Sequence, residues 1–144
     1  METFDVDILF TSRIVNMDQP GASQITRSTL HGRIAEGAGS LYLIFSDTVE
    51  EIGAVDYTIK INGDEALIRR TGAVPMRQPL FIGKPMNGTY EGPYGTMATE
   101  ATAQRIEATW DRKIGSGAAS LVYDMTLQGE YVGQCRLDYR YTAK

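Results

Sequence analysis

The sequence predicts an all-β protein: a single antiparallel up-and-down β-barrel of about eight to ten strands spanning residues 1–144. Three observations lead there. Apolar and polar residues alternate with a period of two along several stretches, most cleanly from Ala118 to Tyr141. Glycine-containing turn signals separate these stretches at short intervals, so consecutive strands are set up to pair as hairpins. No stretch sustains a helical period. Long strands in hairpin order favour closure into a barrel, because closure removes exposed sheet edges.

The first strand runs from Phe4 to Asn16, with Phe4, Val6, Ile8 and Phe10 on one parity and Asp5, Asp7, Leu9 and Thr11 on the other. Asp18-Gln19-Pro20-Gly21 has the chemistry of a turn. Ile25 to Glu36 is the second strand. Its inner parity, Thr26, Ser28, Leu30, Gly32 and Ile34, suits either a wet cavity or a strand partly exposed on both faces. Gly37-Ala38-Gly39 turns the chain into Leu41, Leu43 and Phe45. Asp47 to Gly53 reads as an acidic loop. Its Glu50 and Glu51 supply fewer oxygens than a hard cation needs, so a solvated loop and no metal site are expected.

Asn62-Gly63 is the strongest short-range hairpin signal in the chain. Counting outward from a turn on those two residues sets Lys60 opposite Glu65 and Asp56 opposite Arg69, two opposite-charge pairs suited to a solvent face. The other face then carries Ile59 opposite Ala66, Tyr57 opposite Ile68, and Val55 opposite Arg70. Arg70 is thereby placed inside, where a guanidinium needs a carboxylate, an aromatic face, carbonyls or water.

Thr71-Gly72 leads into Val74 to Ile82, where Pro75 and Pro79 argue against a central strand. A short strand, Met86 to Glu91, ends at the turn Gly92-Pro93-Tyr94-Gly95. Thr96 to Trp110 is strand-like with a phase change: Met97, Thr99, Ala101 and Ala103 share one parity, and Ile106, Ala108 and Trp110 the other. A bulge or bend near Gln104 reconciles them. In the final hairpin, a two-residue turn at Gln128-Gly129 sets Leu127 opposite Glu130, which leaves the apolar faces one residue out of phase. A bulge at Gly133 restores the phase, as does a three-residue Gln-Gly-Glu loop. Either way Tyr123 faces Cys135, Leu121 faces Leu137 and Ala119 faces Tyr139.

Composition narrows the function classes. The net charge is −4 and no Lys/Arg run is present, which argues against nucleic-acid binding. The single Cys135 cannot form an internal disulfide, which suits a reducing compartment. Glu2, Asp5 and Asp7 precede any long apolar run, unlike a signal peptide, and no stretch approaches the roughly 18 apolar residues of a membrane helix. The expectation is a soluble cytoplasmic protein with no membrane partner.

Three stretches carry a family likeness: TIKINGDEALIRRTG around Arg70, MRQPLF followed by YEGPYGTM, and VYDMTLQGEYVG near the end. In order and spacing, over nearly the whole chain, they resemble the YwiB-like family of uncharacterised bacterial proteins (DUF1934). The resemblance implies a calycin-like, lipocalin-like barrel and brings no established activity or catalytic residues. Thr99 to Thr102 reads TEAT where the resemblance implies a basic residue between the threonines, which weakens any role for that strand in contacting an anion.

Catalytic parts are scarce. His31 and Cys135 form a dyad only if the fold brings them together, and the hairpin phase points Cys135 into the core. Zinc ligands and phosphate-binding loops are missing. The expected function is non-enzymatic binding of a small amphipathic or anionic ligand inside the barrel, with no cofactor. Its binding residues would be Arg70, Tyr57, Tyr90, Tyr123, Tyr139 and Met76, with Met97 and Met125 nearby. The alternative is a structural or interaction module with a side-chain-filled barrel, whose surface or strand edge pairs with another chain, a homodimer included. An enzyme using tyrosines and Arg70 as acid and electrostatic stabiliser would lack a base.

Overall fold

A computed structural model describes residues 2–16, 23–49, 51–92 and 94–144. The turn expected at 18–21, Glu50 and Pro93 lie outside the described residues. Ten strands follow in order: β1 (Glu2–Val15), β2 (Ser23–Gly37), β3 (Ser40–Val49), β4 (Gly53–Asn62), β5 (Glu65–Gly72), β6 (Met76–Phe81), β7 (Pro85–Gly92), β8 (Gly95–Asp111), β9 (Ser116–Leu127) and β10 (Glu130–Ala143). Each pairs antiparallel with its sequence neighbours, and β1 closes on β10, so the sheet is an up-and-down barrel. No helix of the described chain is long and apolar enough to cross a membrane.

The inward parity builds the core. Val6, Ile8, Ile34, Leu43, Ile59, Ile68, Leu80, Leu121 and Tyr141 are almost fully buried. One barrel end is filled by rings: Phe4 lies 5.3 Å from Trp110, and Trp110 lies 6.0 Å from Tyr141, whose hydroxyl donates to the Thr109 carbonyl. Gly117 makes room there, because a Cβ on it would sit 2.6 Å from the Tyr141 ring.

Both register shifts fall at the phase changes of the sequence; in the last hairpin a bulge rather than a three-residue loop restores the phase, with Val132 skipped and Gly133 paired to Met125. In the last hairpin Gln128 and Gly129 take φ of 51° and 81°, Leu127 pairs with Glu130, and the register shifts between Tyr131 and Gly133. Beyond the shift Tyr123 pairs with Cys135, Leu121 with Leu137 and Ala119 with Tyr139. On β8 the register shifts between Ala103 and Arg105, which turns Ile106, Ala108 and Trp110 inward.

The β4–β5 hairpin differs from its expected register by two residues. Gly63 and Asp64 form the turn, and Asn62 pairs with Glu65. Only Gly63 takes a positive φ, 60°, the pattern of a turn with glycine first, whereas an Asn62-Gly63 turn needs both residues there. The expected charge pairs are therefore absent: Lys60 faces Leu67 and Asp56 faces Thr71. A shift of two keeps every side chain on its face, so Arg70 still points inward, now opposite Tyr57.

Strands β6 and β7 pair only at Met76–Tyr90 and Arg77–Thr89, since Pro79 and Pro85 bring no N–H to the ladder. The buried Gln78 bridges this seam. Its amide donates to the carbonyls of Pro79 and Met86, and its oxygen accepts from Thr99 Oγ1. Gly88 is small because the Arg77 carbonyl and that cluster fill the space: a Cβ would meet the carbonyl oxygen first and sit 2.7 Å from both Gln78 Oε1 and Thr99 Oγ1.

Candidate functional site

Cross-strand register assembles the site. Phe45 on β3, Tyr57 on β4, Arg70 on β5, Met76 on β6, Tyr90 on β7 and Met97 on β8 are successive partners on the inner wall. Arg70 meets no carboxylate among the described residues. Its Nε donates to the Val74 carbonyl at 2.6 Å, and its Nη1 donates to the Tyr57 hydroxyl at 3.1 Å. The guanidinium carbon lies 5.3 Å from the Tyr90 ring centroid and 5.8 Å from that of Tyr57, within cation–π range. Its Nη2 is buried and has no hydrogen-bond partner among the described residues.

Next to this row lies a cavity of about 300 Å³. Tyr57, Tyr123, Tyr139 and Met76 line it, together with Phe10, Phe45, Met125, Leu137 and Cys135. Stacking fixes the ring walls: Phe10 on Tyr139 at 4.6 Å and Phe45 on Tyr57 at 4.8 Å. Arg70 is not part of the lining, but its cross-strand partners Tyr57 and Met76 are. Tyr90 meets the site through Arg70. Met97 pairs with Tyr90 and stands outside the cavity.

One wall is polar, formed by Ser12, Thr26 and Asp47. Sequence reasoning missed Asp47 by assigning it to an acidic loop. It continues the inward parity of Leu41, Leu43 and Phe45, and that count was the available signal. A wider hollow of about 950 Å³ at the ring-filled end is bordered by Glu2, Glu36, Glu107 and Trp110, and none of the expected site residues reach it.

Three groups inside, Tyr123, Tyr139 and Cys135, are held in their protonated forms at neutral pH. Burial, and then the Cys135 beside it, raises the Tyr123 hydroxyl well above the ordinary tyrosine value. Burial raises Tyr139 as well, aided by Tyr57. Burial pushes the Cys135 thiol up to about 11, against a hydrogen bond from Tyr123 that lowers it. His31 is on the outer face, with Nδ1 2.7 Å from Asp7 Oδ1, so it does not meet Cys135. Among the described residues no three His, Cys, Asp or Glu side chains converge as metal ligands.

The thiol gives a direct check. With its pKa near 11 against the ordinary 9.0, alkylation of Cys135 by iodoacetamide at pH 8 should run about 100-fold slower than for an unfolded chain. The raised pKa also fixes a sign for stability. Below pH 9 both states hold the proton and the contribution is full; it is lost as pH climbs toward 11, because the unfolded thiol ionises first. Labelling as fast as in urea would place Cys135 outside the core.

Fold and site together define a small closed-barrel protein with a walled, mostly apolar internal cavity. More particularly, the chain belongs to the family described as a domain of unknown function, DUF1934, which its residues 10–138 match. It is 28% identical over 80 residues to the uncharacterized beta-barrel protein YwiB of Bacillus subtilis (strain 168), a match covering 56% of this chain and 55% of that one. The alignment thus spans about half the length of that relative. The crystal structure of ywiB protein from Bacillus subtilis superposes with a TM-score of 0.83 at 21% identity, over 99% of this chain and 93% of that one, which shows the shared fold.

Proposed function

We propose that the barrel binds a small amphipathic anion, its apolar part in the cavity and its charged end toward Arg70, in the manner of a calycin-type carrier working in the cytoplasm. The observation that carries this reading is the Arg70 Nη2, a buried donor with no partner among the described residues, beside a ring-walled cavity of about 300 Å³. That volume is at the lower end of the usual range for ligand sites, so the ligand is small. A half-buried guanidinium held by one hydroxyl and one carbonyl, with its Nη2 buried, retains N–H groups for a carboxylate or phosphate.

Native mass spectrometry of protein purified from its own host is the deciding measurement. A retained small anion is expected, and octanoate added to stripped protein should bind and shift the Tyr57, Tyr123 and Tyr139 resonances. An empty barrel that also ignores octanoate and phenyl phosphate would overturn the reading.

A further inference from the structure

The barrel is closed along only part of β2. The β2–β3 ladder runs from Gly37–Ser40 to Gly32–Phe45 and stops. Beyond it β2 pairs only with β1, out to Ser23, while β3 continues along β4 to Val49. On the side away from β1, Ser23 to His31 is therefore a sheet edge with no strand partner among the described residues, and Ser23 to Arg27, Thr29 and His31 are exposed. Alternate residues of an antiparallel strand direct their N–H and C=O to one side, so every second residue of this segment offers both groups to an incoming chain. The segment contains no proline or lysine to blunt it.

The outer face behind that edge is basic. Register aligns Ile25, Arg13 and Arg136 across β2, β1 and β10; the next row is Arg27, Thr11 and Asp138, and the next Thr29, Leu9 and Arg140. Arg13 and Arg136 stand directly opposite, an unfavourable placement unless an anion comes between them. None of Arg13, Arg27, Arg136 and Arg140 is in an ion pair among the described residues. Leu9 and Ile25 are about half exposed, 52% and 51%, among these cations.

We infer that the Ser23–His31 edge docks an extended acidic peptide segment of a partner protein, added to β2 as an extra strand with its carboxylates toward Arg27 and Arg13. The free backbone groups call for a polypeptide, which separates this site from a nucleic acid, whose phosphates cannot continue a ladder. The arginines call for acidic side chains. A second copy fits poorly, because antiparallel pairing of two such edges brings two Arg27-bearing faces together. The inference does not depend on the ligand reading.

The test uses the full ¹⁵N-labelled chain and a capped eight-residue peptide of alternating glutamate and valine. Expected is slowed exchange at alternate amides between Ser23 and His31, with affinity falling about tenfold as salt rises from about 50 to 500 mM. A lysine–valine peptide, and the acidic peptide N-methylated at alternate amides, should not bind. Arg27→Glu, at an exposed position, should keep the native spectrum and lose at least about tenfold in affinity. Lack of binding, equal binding of acidic and basic peptides, or protection confined to cavity residues would overturn the inference. So would a stable dimer of the chain alone with this edge protected, since the occupant is then a second copy.

Discussion

Replacing Arg70 by methionine should leave the barrel folded and abolish retention of an anionic ligand, at least about 100-fold in affinity for octanoate. That loss corresponds to about 2.7 kcal/mol, the scale of one desolvated charge-assisted hydrogen bond. Methionine keeps the long apolar stem between Tyr57 and Met76, so the wall stays filled. Two effects oppose each other in stability. The Val74 carbonyl and Tyr57 hydroxyl each lose a donor, which costs about 1–3 kcal/mol if both stay dry. Against that, the variant no longer buries a guanidinium with an unpartnered Nη2. The net change should stay within about 1 kcal/mol by urea unfolding.

The neighbouring arginine is the control. Arg69 is exposed and sits opposite Thr58 and Arg77, with no ion pair among the described residues. Arg69→Met should therefore be neutral or slightly stabilising by relieving a like-charge pair, and should leave octanoate binding unchanged. A large stability loss for Arg70→Met with unaltered octanoate binding would make Arg70 a structural residue of the wall. Equal affinity in both variants would remove the anion from the proposed function.

What was legible in the sequence follows from what alternation encodes. Parity fixes the face of a side chain, so the inward Tyr57, Arg70, Tyr123 and Tyr139 could be read without coordinates. Phase breaks encode register shifts, and those before Gly133 and at Gln104 were readable for that reason, although the sequence left a bulge and a longer loop equally open in the last hairpin. Pairing partners are less secure, because a register shift of two preserves every face. The hairpin at Gly63 slipped by that amount and carried two apparent charge pairs with it. The partial opening of the barrel was hidden for another reason. The polar inner residues Thr26 and Ser28 left open a wet cavity or a strand exposed on both faces, and only the point where β2 and β3 part decides between them. That segment is exposed at its edge, and its Thr26 also lines the cavity.

The parting point sets the last prediction: Gly32→Val should cost about 3 kcal/mol, a drop of roughly 10 °C in midpoint for a chain of this length. Gly32 is the final residue of the β2–β3 ladder, paired to Phe45 on one side and Val6 on the other. Its φ is not in the positive region, so a side chain meets no conformational penalty there. The obstacle is space. A Cβ would lie 2.3 Å from the Ile44 carbonyl oxygen and 2.9 Å from both Ile8 Cδ1 and the Phe45 Cβ. The carbonyl belongs to the backbone of β3 and can retreat only if the two strands separate. Gly39→Ala provides the contrast, since Gly39 has φ 78° and nothing within 4 Å of the added atom; it should cost only about 1 kcal/mol, from backbone strain. Amide exchange locates the damage. In Gly32→Val the amides of Arg33–Gly37 and Ser40–Phe45 should exchange faster while those of β9 and β10 do not, because the seam opens further along β2. If Gly32→Val and Gly39→Ala lose the same small amount, with no change in exchange across β2 and β3, the close approach that closes the barrel at Gly32 is wrong.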